Sequence, residues 1–198
     1  MFPIIPAAAA AADSGNQEGI FGFGSDSDIT NLISNTGVVA SDVTGVGTAR
    51  TYVAACEYGG DKGIIGYGYT GGDVSMTNLV SNTGVVASDV TGVGTARRQL
   101  AACSYGGDKG IFGFGIPTLS LTNLVSNAGV VASDTTGVGT GRSHLAACEY
   151  GGDKGIFGFG NTGSVSSLTN LVSNAGVIAN DVTGVGTARS SIAACSFN

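Results

Sequence analysis

The most reactive side chains in this sequence are four cysteines, Cys56, Cys103, Cys148 and Cys195, which stand at one recurring position. A zinc ion would ask four thiolates for a tetrahedron, whereas equivalent positions around a four-part ring lie in a square. Disulfides would need Cα atoms within about 7 Å, which only adjacent inner strands approach. The expectation is four free thiols buried as small apolar side chains. Four carboxylates, Asp42, Asp89, Asp134 and Asp181, each precede an arginine by eight residues: Arg50, Arg97, Arg142 and Arg189. They read as a loop brace, each Asp holding that Arg through charge-assisted hydrogen bonds, in preference to a ring of charge at a channel mouth. The run Gly45-Val46-Gly47-Thr48-Ala49-Arg50 has glycines like a phosphate loop, but no helix follows it. His144 is the sole histidine, and no fixed acid partner is indicated for a catalytic triad. No enzyme, cofactor or metal site is expected.

The elements that position these residues repeat. GTAR ends at Arg50, Arg97 and Arg189, and GTGR at Arg142, with spacings of 47, 45 and 47 residues. Each arginine is followed six residues later by a cysteine, and each copy carries I-x-G-[FY]-G and then TNL[IV]SN[TA]GV. A period of 40–50 residues is the mark of a propeller or array. Four copies fill residues 19–198, at about 19–60, 61–107, 108–152 and 153–198, and residues 1–18 form a separate apolar, alanine-rich arm. Each copy reads as four short strands, Val53–Tyr58, Ile64–Gly68, Met76–Ser81 and Val85–Asp89 and their equivalents. Gly84 supplies the positive φ of the hairpin between the last two. Nothing shows helical periodicity with caps, so the chain reads as all-β.

The strands lack an apolar face backed by a polar one. In Gly110-Ile111-Phe112-Gly113-Phe114-Gly115, rings stand on one face and glycine hollows on the other, so each sheet is covered on both sides. Rings of one sheet fill the hollows of the next, at about 1.5–3 kcal/mol per buried ring. Stacked four-stranded sheets at this period predict a four-bladed β-propeller of antiparallel blades. The first copy lacks a first strand, and the last ends with a surplus one, Ser191-Ile192-Ala193-Ala194-Cys195-Ser196-Phe197. Its pairing with the N-terminal blade would close the ring and remove a raw edge; two chains sharing an eight-bladed ring is the alternative.

Glycine, at 35 of 198 residues with no collagen period, and only 11% charged residues set the chain apart from ordinary domains, which average about 7% and 25%. A hydrophobic content of 42% excludes a disordered chain, and a net charge of −6 argues against nucleic acid as a partner. No apolar run is long enough for a membrane helix. The segment Met1, Phe2, Pro3, Ile4, Ile5, Pro6 lacks the basic start of a signal peptide and is expected to dock on another subunit. The copies diverge after the arginine, at Thr51, Tyr52, Arg98, Gln99, Ser143, His144, Ser190 and Ser191, and in the loop between strands two and three, at Tyr69, Asp73 and Pro117. Alternating strand direction puts both segments on one rim, the candidate contact surface.

GTAR, an alanine-rich strand and I-F-G-F-G together resemble the Kelch-type repeat, although Phe-Gly replaces its Gly-Gly doublet and its strand-four Trp is missing. The runs Tyr-Gly-Gly-Asp-Lys-Gly-Ile-Phe-Gly-Phe-Gly and Thr-Asn-Leu-Val-Ser-Asn-Thr-Gly-Val-Val-Ala-Ser-Asp are similar to tandem-repeat proteins encoded among structural genes of marine tailed bacteriophages, the cyanophages. That resemblance implies a virion structural protein of capsid, neck or tail, assembled in the host bacterial cytoplasm in several copies beside other virion proteins. A carbohydrate-binding propeller engaging host surface glycans is the alternative.

Overall fold

The computed structural model describes residues 17–197, and every regular element in them is a β-strand. The candidate arm residues Met1 to Pro6 lie outside the described residues. Strands β1 (Gly19–Gly24) and β2 (Ser27–Ile33) form an antiparallel pair. Three antiparallel three-stranded sheets follow. The first is β3 (Ala54–Tyr58), β4 (Lys62–Tyr69) and β5 (Asp73–Val80); the second is β6 (Ala101–Tyr105), β7 (Lys109–Gly113) and β8 (Thr122–Val125); the third is β9 (Ala146–Tyr150), β10 (Lys154–Gly158) and β11 (Thr169–Val172). Repeated sequence gives repeated register: Ala54 faces Gly66, Ala101 faces Gly113, and Ala146 faces Gly158. The hairpin glycines take the expected left-handed backbone, with φ of 73° at Gly84 and 78° at Gly129.

The expected fourth strand is present only as two isolated bridges per repeat. In the second repeat Thr77 pairs with Val90 and Val80 with Val86, and the same spacing recurs in the other three. The two pairs differ by one residue in register, so a bulge interrupts the ladder. At that point the Asn78 side chain, through Nδ2, donates to the Ala87 carbonyl at 3.0 Å.

Ring-on-glycine contacts hold sheet to sheet. A methyl group at Gly113 would stand 2.8 Å from Cζ of Phe157, and one at Gly66 would stand 3.0 Å from Cζ of Phe112. Both rings are 0% exposed. Each also tilts at 59° against an aromatic ring of the preceding sheet, Phe112 on Tyr67 and Phe157 on Phe114, with centroids 5.1 and 5.2 Å apart. Between the first two sheets Ile65 takes this part, its Cδ1 being 3.2 Å from a methyl group at Gly22. The turns dock as well, with Gly59 N–H donating to the Asp108 carbonyl and Gly106 N–H to that of Asp153. The alanine-rich strands β3, β6 and β9 neighbour one another in turn. With residues 194–196 they line one cleft of about 240 Å³.

The expected closure by the last strand is not formed. Residues 192–197 join no strand among the described residues, and β1 pairs with β2 alone. Ser191 N–H donates to the His144 carbonyl as His144 N–H does to that of Gln99, but beyond that bond residues 194–196 line the cleft beside β3, β6 and β9 and form no ladder with β1. Phe21, the counterpart of Phe112 and Phe157, is accordingly 61% exposed, and a methyl group at Gly158 would meet only Thr169 of its own sheet.

The contact geometry predicts opposite outcomes for two glycines. Gly113→Ala drives a methyl group into a ring that has no room to move and should cost about 1–3 kcal/mol. Gly72→Ala, with nothing within 4 Å, should be neutral or slightly stabilising. Urea unfolding midpoints of the two variants test the difference.

Candidate functional site

Arg50, Arg97 and Arg142 are 0% exposed, and each is held the same way. The guanidinium lies over an aromatic ring of one sheet, Arg50 on Phe23, Arg97 on Tyr67 and Arg142 on Phe114, at 4.3, 4.2 and 4.4 Å from the centroid. Its Nε donates to a carbonyl of the next sheet, that of Tyr67, Phe114 or Phe159, at 3.0, 2.9 and 3.0 Å. Nη2 donates to the Oδ1 of Asn78, Asn123 or Asn170. Nη1 donates to the carbonyl of Thr48, Thr95 or Thr140 and faces Asp89, Asp134 or Asp181 at 3.4, 3.7 and 3.4 Å. The planar fork of arginine suits this many fixed acceptors.

This corrects the pairing expected from sequence. Each arginine takes the aspartate of the following repeat, not the one eight residues before it. That arrangement joins neighbouring repeats where the expected one would have closed a loop within one. The ends of the stack are left over. Arg189 is exposed, lies 4.1 Å over Phe159, and donates to the Thr187 carbonyl. Asp42 accepts from Asn31 at 2.8 Å, and no cation among the described residues pairs with it.

Two of these aromatic residues serve two braces each. Tyr67 offers its carbonyl to Arg50 and its ring to Arg97; Phe114 offers its carbonyl to Arg97 and its ring to Arg142. Phe23, Tyr67, Phe114 and Phe159 all have φ between 61° and 65°, a left-handed backbone that costs a non-glycine residue about 1–3 kcal/mol. Neither these strained residues nor Asn78, Asn123 and Asn170 were singled out from the sequence. The asparagine signal was present in the recurring TNL.

Burial pushes the Asp89 carboxyl up, but hydrogen bonds from Thr48 and Asn78 and the charge of Arg50 outweigh it and leave it below 3.8. Asp134 and Asp181 behave alike, with Thr95 and Asn123, and Thr140 and Asn170, as donors. Burial draws the guanidinium of Arg50 down from its ordinary value, and Asp89 opposes the shift.

The thiols pack in steps. The Sγ of Cys56 would be 2.6 Å from a methyl group at Gly110, and that of Cys103 would be 2.7 Å from one at Gly155. Burial pushes Cys56 up to about 12, and Cys103 and Cys148 also rise. All four cysteines are free. The expectation of uniform burial is corrected: Cys103 is buried, Cys56 and Cys148 are half-buried, and Cys195, which no strand among the described residues covers, is exposed.

The structure brings the variable segments together. Thr51 bridges Tyr69, Arg98 bridges Ile116 beside Pro117, and Ser143 bridges Asn161. Arg98 pairs with Asp73 and lies 5.0 Å over Tyr69. Backbone bonds run from Gln99 N–H to Tyr52, His144 N–H to Gln99, and Ser191 N–H to His144. These four residues share φ of 53° to 57°, and half-buried Ser190 precedes the last. The His144 Nδ1 is 3.1 Å from Ser143 Oγ. No protein-family model matches the chain, and no curated protein matches its sequence.

Removing one fork should show what the braces hold. Arg97→Ala leaves Asn123 and Asp134 facing a void and should cost about 3–5 kcal/mol, whereas Arg189→Ala should leave the melting temperature of a dilute sample unchanged. The acid response has a definite sign. With folded pKa values below the unfolded ones, the unfolded chain takes up protons first as pH falls. The stability from Asp89, Asp134 and Asp181 is whole above about 3.9 and lost as pH drops through their folded values. Thermal melts between pH 7 and 2 should show it, with Asp134→Asn flattening the decline. A colorimetric thiol reagent at neutral pH should modify Cys195 rapidly and Cys56 and Cys103 only on unfolding.

Proposed function

We propose that this chain is a non-enzymatic structural component of a tailed-bacteriophage particle, built as a four-bladed propeller of Kelch-like repeats that stands open at one seam. The observation that carries this reading is the brace made three times over: the buried arginines are all spent on fixing one repeat to the next. Such a module presents a rigid rim, and rigid scaffolds with varied loops serve as contact surfaces. The recurring Tyr-Gly-Gly-Asp-Lys-Gly-Ile-Phe-Gly-Phe-Gly, similar to cyanophage structural proteins, supports the virion, and free thiols suit assembly in a reducing host cytoplasm. Its partners in this reading are other virion proteins, met through the N-terminal arm and the rim.

A second reading, a rim that binds host glycans, is favoured by two observations. Tyr52 stands 51% exposed on the rim, and the nearby Gln99 Oε1 is shielded from solvent without a hydrogen-bond partner. An unmet acceptor of this kind costs about 1–3 kcal/mol, which a sugar hydroxyl would relieve.

Mass spectrometry of gradient-purified phage particles should find this chain's peptides at a constant ratio to the major capsid protein. Peptides confined to the lysate would overturn the virion reading. A glycan array should show no binding; hits abolished by Tyr52→Ala would establish the second reading in its place.

A further inference from the structure

The two ends of the stack carry the two halves of the interface that the chain repeats internally. At the C-terminal end are the uncovered hollow at Gly158 and Arg189, whose Thr187 counterparts Thr48, Thr95 and Thr140 each bind the aspartate of a following repeat. Phe21, Asn31 and Asp42 at the N-terminal end are the counterparts of Phe157, Asn170 and Asp181. A groove of about 270 Å³ also runs beside β1, lined by Ile20, Ala55, Cys56, Gly63 and Gly84 among others. Its shape follows from a missing strand. In the next interface Cys56 lies against Gly110 and Tyr58 against Gly129, and in the one after it Cys103 lies against Gly155 and Tyr105 against Gly176. Among the described residues no cysteine or tyrosine takes the corresponding place against Gly63 and Gly84, where a methyl group would meet Val80 at 3.5 Å and the Leu32 side chain respectively. The residues of matching type are Cys195 and Phe197, both exposed, the latter at 95%.

We propose that the groove beside β1 receives the last strand, Ala193-Ala194-Cys195-Ser196-Phe197, of a second copy of this chain. Strand addition to an open edge is a general recognition mode. The register follows from the three complete sheets: as Ala54 faces Gly66, Ala193 of one copy faces Gly22 of the other, and Cys195 faces Ile20. The same approach sets Phe21 into the Gly158 hollow and delivers Arg189 to Asn31 and Asp42. The occupant is a second copy because the chain's own tail, tethered at the highest effective concentration, joins no strand among the described residues. The contact is heterologous, so two copies close reciprocally into a ring of eight repeats, or more extend into a filament. This inference needs the seam alone and stands whether or not the particle is a virion.

Sedimentation of the full chain across a hundredfold concentration range should show dimers or larger species. A chain ending at residue 192 should remain monomeric with an unchanged circular dichroism spectrum, and Arg189→Ala should weaken association at least tenfold. The substitution Gly63→Cys places a thiol where a docked Cys195 arrives, and the site admits a β-carbon, with Val80 at 3.5 Å as its nearest neighbour. Oxidation of this variant by copper(II)-phenanthroline should link chains covalently, beyond any linking of the wild type. Wild-type chain that stays monomeric throughout, or an oxidised product linked only within one chain, would overturn the proposal.

Discussion

An arginine removed from water must have its charge and all its donors met, and this fold is arranged around three that are. Each guanidinium takes a ring on one side and a carbonyl, an amide oxygen and a carboxylate on the other. Desolvation alone would make such a buried cation costly. Charge-assisted hydrogen bonds at about 1.5–3 kcal/mol each and a ring contact at about 0.5–2 kcal/mol offset that cost, but only if every acceptor is in place. The acceptors come from two successive repeats. A repeat by itself cannot satisfy its arginine, so neighbouring repeats are obliged to fold together.

The same obligation accounts for the backbone strain. A left-handed aromatic residue lets one position turn its carbonyl to the arginine behind and its ring to the arginine ahead. The glycine that follows in each copy allows the chain to continue through the bulge. Glycine on the opposite face of the strand has a different role, leaving the hollow that the next ring fills. High glycine content thus reflects close approach between sheets, and the low charge reflects surfaces that face other surfaces of the same kind.

A repeat series that does not close has unlike ends. Inside the stack every repeat is both host and guest; the first is only host to the second, and the fourth is only guest of the third. Exposed Phe21 and Phe197, exposed Arg189, and an Asp42 that meets no cation among the described residues are the direct result. Repeat proteins commonly blunt their terminal faces with polar caps; among the described residues the repeat interface here is uncovered at Phe21 and at Gly158.

The period, the all-β character and the ring-in-hollow packing were legible from residue order, because identical short motifs at fixed spacing force identical local geometry. The bulged fourth strand was not, since an asparagine side chain entering a ladder leaves no mark in a pattern of apolar residues. Nor was the partner of each arginine: Asp42 and Asp89 have the same neighbours in sequence, and only the packing of one sheet on the next decides which lies beside Arg50. The fate of the tail was decided the same way. Its alanines and cysteine specify a strand of the inner type, but which edge it meets depends on where the accumulated stack delivers it, a property of the whole chain and of no segment within it.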